Sequence, residues 1–589
     1  MPSNLTQVQL STKQYIRFRG FQTMDTQSAR EALDPTRLAW CENLEIVGPN
    51  QLVCCEGPAP TLATINSDNI TAQFFANYAN KDFIINFTAS GAGYQVDVAS
   101  GAVFQFAAKG TFSAQPDMTV WSSQRILIAD PIAGYCTWDG VAFVQQGGLS
   151  PNIVVTNGGS GYVTAPTVSF SGGSGAGATA HAVLTGGVVT SVVLDTAGFG
   201  YLASDTVTVT FGSGSATATV NVWPFVGGAV TTLAIYSGRV WLAAGRLLQW
   251  TGTKGFDDAA TANAAGSTTL NDADLVHQIT VLRALNNFLY IGGDASIKQI
   301  GTITVSGSST NFSIVTLSSD QGMPFPRAVA SYNRLILFGN KVGVYAVLGA
   351  SVEKVSDQMD GIFSKMDFSQ PLQAAVQDLH SSLHTFLLLC RYNDPARGVQ
   401  RSLILCFTKN RWFVASQGDN LTSICTASIN GLTETFASSG TDVTQIFQSS
   451  TPVNILLQTA LADNGTDIGK RMIQCSVSLG SSNVGTMNLL TESENGGTLF
   501  PFSTGINFQW INNAGKTVQW LDQSGNIFNW LTSGFLYQRS QAAATGIYLG
   551  ITLSGAFSGS TAAGSVGLVI NGLAAEYQES KVFASKMSQ

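Results

Sequence analysis

The sequence predicts an all-β protein: a β-propeller with an inserted Gly-rich β-repeat module and a C-terminal β domain. Segments on one template recur along it, each an apolar strand, a short Gly/Asn turn and a second strand closing on an aromatic or apolar residue. The clearest are Ser237-Gly238-Arg239-Val240-Trp241-Leu242-Ala243 running to Trp250, Asn287-Phe288-Leu289-Tyr290-Ile291 running to Ile300, and Asn333-Arg334-Leu335-Ile336-Leu337-Phe338 running to Tyr345. Their spacing is roughly 45 to 50 residues, the period of a four-stranded blade. Looser copies lie at 82–96, 126–138, 386–412 and 432–447. A single blade cannot bury both faces of its small sheet, so such units must stack on one another. Composition agrees: charged residues are 11% of the chain against about 25% in an average soluble domain. Its polar surface must therefore come from Ser, Thr, Asn and Gln, as in rigid β-rich structural proteins.

The elements follow in order. Residues 1–70 read as an N-terminal arm ending in the turn-rich Gly57-Pro58-Ala59-Pro60, where two prolines forbid helix and favour extended chain. We expect this arm to pack against another subunit. The first part of the propeller occupies 71–149 and the second part 224–450. Between them, 150–223 repeats internally with a period of about 40 residues. Val154-Val155-Thr156-Asn157-Gly158-Gly159-Ser160-Gly161-Tyr162 is echoed by Val193-Leu194-Asp195-Thr196-Ala197-Gly198-Phe199-Gly200-Tyr201, and Thr167-Val168-Ser169-Phe170 by Thr208-Val209-Thr210-Phe211. Glycine runs joined to alternating β-branched residues describe tight turns between short strands, placing a β module in a blade loop, where insertions are tolerated. Residues 451–589 form the C-terminal β domain. There Trp510, Trp520 and Trp530 fall at ten-residue intervals, which puts them on neighbouring strands as a core ladder, or as a stacking platform for sugar or nucleobase. Helix is expected in few places, best at 371–384.

Charge and cysteine usage narrow the function. The net charge is -7, and no Lys or Arg occurs from 126 to 238, so the chain as a whole lacks the cationic footprint of a nucleic-acid gripper. Passage of DNA along a neutral wall stays open. Eight cysteines, Cys54-Cys55 among them, show no CxxC or metal spacing and read as buried thiols of a protein assembled in a reducing compartment. The first twenty residues alternate polar and apolar and carry Lys13, Arg17 and Arg19 without an apolar core segment, so no signal peptide is expected. The longest apolar run, Phe386-Leu387-Leu388-Leu389-Cys390, is far short of a membrane span, and no membrane anchor is expected.

Chemical motifs give way to structural readings. His380 and His384 would share a helix face, but Ser381 stands where a zincin helix carries its glutamate. Asp463-Asn464-Gly465-Thr466-Asp467 lacks the Gly and Glu of a calcium loop, and Asp272 with Asp274 forms a lone pair better read as a solvated loop. Gly172-Gly173-Ser174-Gly175-Ala176-Gly177 lacks the Lys-Ser/Thr ending of a phosphate loop. Ser318-x-Asp320-x-Gly322 matches the Asp-box turn of sialidase-like propellers, but one box does not supply the paired carboxylates of glycoside hydrolysis. No catalytic, cofactor-binding or metal residue is assigned, no cofactor is implied, and no enzymatic activity is expected.

Around that turn, Ser319-Asp320-Gln321-Gly322-Met323-Pro324-Phe325-Pro326-Arg327, then Asn333-Arg334-Leu335-Ile336-Leu337-Phe338-Gly339, Gly343-Val344-Tyr345 and Ser356-Asp357 resemble a blade of the tail-nozzle (tail hub or tail stabilisation) proteins of short-tailed bacteriophages. Lys409-Asn410-Arg411-Trp412, Ile468-Gly469-Lys470-Arg471-Met472 and Asp34-Pro35-Thr36-Arg37-Leu38-Ala39-Trp40 are similar to further elements of that family. The likeness touches most of the chain outside 150–223. It implies a structural virion protein, assembled in the bacterial host cytoplasm, of which six copies form a ring below portal and adaptor. That ring would extend the DNA channel, take part in DNA retention and ejection, and dock tail fibres or spikes. The alternative is a carbohydrate-binding or glycan-cleaving β-propeller, with the tryptophan ladder or the Asp box as its working part.

Overall fold

Tight turns with positive φ at both central residues suit the right-handed twist of paired strands, and Asn, Gly and small polar residues adopt them most readily. The chain places such pairs at Ala79-Asn80 (51° and 59°), Ser237-Gly238 (52° and 70°), Asn286-Asn287 (51° and 62°), Asn333-Arg334 (44° and 68°) and Asn430-Gly431 (51° and 80°). Each joins the first and second strands of a four-stranded antiparallel sheet.

The computed structural model describes residues 13–48, 50–65, 68–150, 153–199, 201, 205–222, 230–253, 255–258, 261–271, 275, 277–379, 384–481, 485–504, 510–511, 517–518, 536–560 and 566–579. Among these, seven four-stranded blades form a β-propeller. Their innermost strands are Ile70–Tyr78, Asp117–Trp121, Thr232–Tyr236, Ile279–Leu285, Val329–Tyr332, Gln373–Asp378 and Leu421–Ile429, and we number blades 1 to 7 in that order. Blade 7 takes its outermost strand, Ala63–Thr64, from ahead of blade 1: Thr64 pairs with Asp442 and Ala63 with Val443. This strand exchange ties the last blade to the first.

Burial between blades supplies the cohesion. Phe87, Ile128 and Trp138 pack between blades 1 and 2, Leu127, Tyr135 and Leu242 between 2 and 3, and Trp241, Trp250 and Leu289 between 3 and 4. Tyr290, Phe338 and Tyr345 pack between 4 and 5, and Ile84, Val96 and Phe436 close the ring between 7 and 1. Fully burying one such side chain contributes about 1.5–3 kcal/mol.

Two bodies are attached to this ring. The first, inserted after blade 2, pairs the matching strands of the sequence repeat with each other: Val168 faces Phe211, Ser169 faces Thr210 and Phe170 faces Val209. The resulting sheet (Val154–Asn157, Thr217–Thr219, Thr208–Phe211, Val168–Ser171) packs on the hairpin Ala176–Thr185 and Val188–Phe199. The repeated tyrosines Tyr162 and Tyr201 each rest on a glycine of the other half of the module. A Cβ on Gly175 would lie 2.4 Å from the Tyr201 ring, and one on Gly214 would lie 2.2 Å from the Tyr162 hydroxyl, so each tyrosine lies on bare backbone.

The second body is a β-sandwich after blade 7. Blade 6 continues past its outer strand Arg411–Ala415 through Leu38–Glu42, Val453–Thr459, Leu549–Phe557, Thr486–Ser493 and Gly496–Ser503, giving one nine-stranded sheet. The facing sheet combines Leu44–Val47, Gln51–Cys54, Val569–Glu579, Lys470–Ser481 and Leu536–Gln541, with Gln14–Phe18 paired to Val569–Glu579. Phe18, Leu457, Val477, Leu553, Leu573 and Tyr577 share one core with blade 6 residues such as Leu405 and Trp412.

Within the chain, the strand Gln14–Phe18 sets its alternating Ile16 and Phe18 into the sandwich core. One expectation is corrected here. The expected helix at 371–384 is replaced by the strands Gln373–Asp378 and His384–Asp394. Ala374-Ala375 and the Gln and Leu around them favour helix locally, but as the innermost strand of blade 6 this segment gains a ladder with His384–Asp394 and buried side chains, which override propensity. All eight cysteines are unbridged and buried. Burial pushes the Cys54, Cys390, Cys425 and Cys475 thiols up to about 12. Among the described residues, no helix is long and apolar enough to cross a membrane.

Candidate functional site

Several motifs singled out from sequence resolve into structural devices. Ser318 Oγ donates to Asp320 Oδ1 at 2.9 Å and accepts the Gln321 amide at 3.0 Å. This turn follows the outermost strand of blade 4, Ile314–Ser318, so Asp320 lies at the propeller's rim, away from its axis. The segment at Asp463 is an Asx turn, with Gly465 N donating to Asp463 Oδ1 at 2.9 Å. Beside it the Lys470 ammonium donates to the carbonyls of Thr466, Ile468 and Ile547 at 2.7, 2.9 and 3.1 Å. A lysine thus occupies the oxygen cage that a cation would need, and burial lowers its pKa. In the module's glycine run, Ser174 N and Oγ donate to Asp205 at 2.7 and 3.1 Å, so an internal carboxylate takes those donors.

His384 opens a strand opposite Asp378, its Nδ1 2.6 Å from Asp378 Oδ1. His380, Asp272, Asp274, Trp520 and Trp530 lie outside the described residues. Of the tryptophan ladder only the Trp510–Ile511 backbone is described, paired to Thr517–Val518.

The mouth of the propeller axis carries a polar cluster that sequence reading missed. The inner strands of blades 1, 2, 3, 6 and 7 contribute Gln73, Asp117, Thr232, Gln373 and Ser423, all buried. Blades 4 and 5 contribute Arg283 and Arg327. Asp117 Oδ2 accepts from Thr232 Oγ1 at 2.6 Å and from Arg283 Nη1 at 3.2 Å. Arg327 Nη2 donates to Gln73 O at 2.6 Å, and its guanidinium lies 4.2 Å from the Phe74 ring centre. Burial pushes the Arg327 pKa down to about 10, leaving it protonated at neutral pH. Gln373 Nε2 bonds the carbonyls of Thr71 and Thr422 at 3.2 and 2.9 Å, and Ser423 Oγ bonds Gln73 Oε1 at 3.1 Å. Each bond crosses from one blade to another, so the cluster works as a clasp that fixes blade register.

A second constellation joins propeller to sandwich. Arg401 of blade 6, 2% exposed, donates to both carboxylate oxygens of Glu42 at 2.6 and 2.9 Å and to Asp394 at 2.9 Å. Trp40 Nε1 and Ser416 Oγ also donate to Glu42, both at 3.0 Å. Burial raises the Glu42 pKa, but the Arg401 bonds more than offset it and hold the carboxyl below its ordinary value.

The third is solvent-facing. On the outer face of the sandwich, Lys13, Tyr15, Arg17 and Arg19 alternate with the buried Ile16 and Phe18. With Arg539, Ser476 and Glu576, the first three line an open depression of about 500 Å³. Lys13 Nζ lies 2.8 Å from Glu576 Oε1 and Tyr15 Oη donates to Glu576 Oε2 at 3.3 Å. Glu576 raises the Lys13 pKa while Arg539 opposes it. The signal for this strip was the two-residue alternation at 13–19, legible once the segment is known to be a strand.

No family model matches the chain, and no curated protein matches it. Similar solved structures are U3-55K (10% identity, TM-score 0.34, 65% of this chain and 96% of that one) and the WD40 repeats of RRP9 (10%, 0.36, 67% and 99%). Raptor from Chaetomium thermophilum is a third (9%, 0.35, 67% and 29%). No phage tail protein stands among these neighbours and no family model matches, so the expected membership of the tail-nozzle family is corrected. Two of the stretches that carried that resemblance, Asn333-Arg334 and Lys409-Asn410, are turns with positive φ at both residues, the geometry that a type I′ hairpin requires whatever the family. The fold class is an all-β propeller.

Proposed function

We propose that this chain is a non-catalytic structural subunit of a larger assembly, joining its own copies in a closed ring through neutral, shape-complementary surfaces. The observation that carries this reading is the nine-stranded sheet running from blade 6 into the sandwich, pinned by the buried Glu42–Arg401–Asp394 network. Two bodies sharing one sheet and one core transmit force as a unit, which suits a load-bearing part. The inserted module, with its own small core, is the element offered to other partners. Closed cyclic arrangements are the common solution for identical subunits, and a surface with few charges gives contacts that salt screens little. Native mass measurement and electron imaging of the purified chain test this: a discrete ring that persists at high salt is expected. A strict monomer that hydrolyses glycans and loses that activity on Asp320→Ala would overturn it.

A further inference from the structure

The outer sandwich face departs from the rest of the chain in charge. The whole sequence is acidic, with 36 carboxylates against 29 Lys and Arg, yet Lys13, Arg17 and Arg539 line one depression here with a single carboxylate, Glu576, and the exposed Arg19 follows on the same segment. Glu576 is 7% exposed and is held by Lys13 and Tyr15. Arg17, Arg19 and Arg539 have no carboxylate within ion-pair distance among the described residues.

The spacing is regular. Alternate residues of a strand stand about 6.7 Å apart on one face, so Tyr15 and Arg17 of the strand Gln14–Phe18, flanked by Lys13 and Arg19 just beyond its two ends, follow in the order cation, aromatic, cation, cation. Tyr15 is 46% exposed, with the Arg17 guanidinium 6.0 Å from its ring centre. The strands behind the row place Gln474 and Glu576 beside Tyr15 and the small Ser476, Ala574 and Gly572 farther along, so the floor is low at the Arg17 and Arg19 end, where an extended chain can lie along it.

We infer that this face binds single-stranded nucleic acid, Lys13, Arg17, Arg19 and Arg539 following the phosphates and Tyr15 stacking on a base. Charge complementarity alone would admit any polyanion. An exposed ring set within the cation row adds a group that favours a planar base, because stacking on an aromatic side chain is how sequence-tolerant strand binders hold their ligand. The inference goes beyond the scaffold reading and does not require the ring.

The test is fluorescence anisotropy of a labelled oligothymidine of about 20 nucleotides with the full chain, titrated between about 50 and 200 mM salt. Each engaged cation contributes about -0.7 to the slope of log affinity against log salt for a single strand, so three or four should give about -2 to -3. Arg17→Ala, Arg19→Ala and Arg539→Ala should each flatten the slope by about 0.7, while Lys341→Ala, on the distant exposed tip of blade 5, should leave it unchanged. Tyr15→Ala should weaken binding roughly 5- to 150-fold and Tyr15→Phe, which keeps the ring, less than about threefold. No oligonucleotide binding at the lowest salt overturns the inference. So does equal competition by polyglutamate or by anionic lipid vesicles, which would assign the face to an acidic protein or a membrane, and so does a Tyr15→Ala chain that binds normally.

Discussion

The propeller carries two bodies by different means. The sandwich shares a continuous sheet and a buried ion network with blade 6, whereas the inserted module keeps its own core. The module's root is a small patch around Leu149, Tyr201 and Val207, with a Leu149–Val222 bridge and a Ser150 N to Asn221 O bond of 2.7 Å. What separates fusion from attachment is whether backbone ladders and core run across the boundary, since these determine which parts unfold together.

The strongest way to break that comparison is Arg401→Met, which leaves Glu42 and Asp394 with only the half-exposed Arg397, 3.9 and 3.7 Å away, as their cation. We expect a loss of about 3–5 kcal/mol and, in calorimetry, a single transition splitting into two. The network also has a pH signature. Glu42 titrates lower folded than unfolded, so its contribution is complete above its unfolded pKa of about 4.3 and is lost as pH falls through the folded value. Melting temperature should therefore drop on acidification below that point, and the drop should be shallower in Glu42→Gln.

Within the module, Gly175→Ala forces a methyl into the Tyr201 ring and should cost about 1–3 kcal/mol, seen as a local loss of amide protection at 153–222 while the propeller's protection is unchanged. Removing 153–222 behind a short Gly/Ser joint should leave a folded chain whose melting point falls by only a few degrees, about 1 kcal/mol for exposing the Leu149 patch. Insoluble deletion protein would show instead that the module completes the propeller. The smallest effect belongs to the outward hydroxyl pairs. Thr156 and Thr217 bond at 2.7 Å on an exposed face, and a double-mutant cycle with Val at both sites should give a coupling of about 0.2–1 kcal/mol.

Blades 3, 4 and 5 were legible because apolar strand and turn are adjacent in sequence, as in Tyr236-Ser237-Gly238-Arg239. The repeat of the inserted module was legible for the same reason. The clasp at the axis was not, because Gln73 and Arg327 are 254 residues apart and neither is unusual in its local setting. Glu42 and Arg401, 359 residues apart, give no local signal either. The cation row was visible as Lys13, Arg17 and Arg19, but it reads as a face only if the segment is extended, and the strand that fixes it, Val569–Glu579, lies at the far end of the chain.

That last pairing sets a timetable for synthesis. Gln14 and Glu579, whose side chains meet at 3.2 Å, are separated by 565 positions, and at about 5–20 residues per second a ribosome needs roughly half a minute to two minutes to travel between them. Throughout that interval the Gln14–Phe18 strand lacks its partner strand, and the Ala63–Thr64 strand likewise waits for blade 7. A nascent chain holding open strand edges this long is a natural client for holding chaperones. The moment of release then falls late, when the sandwich and the propeller ring can close almost together.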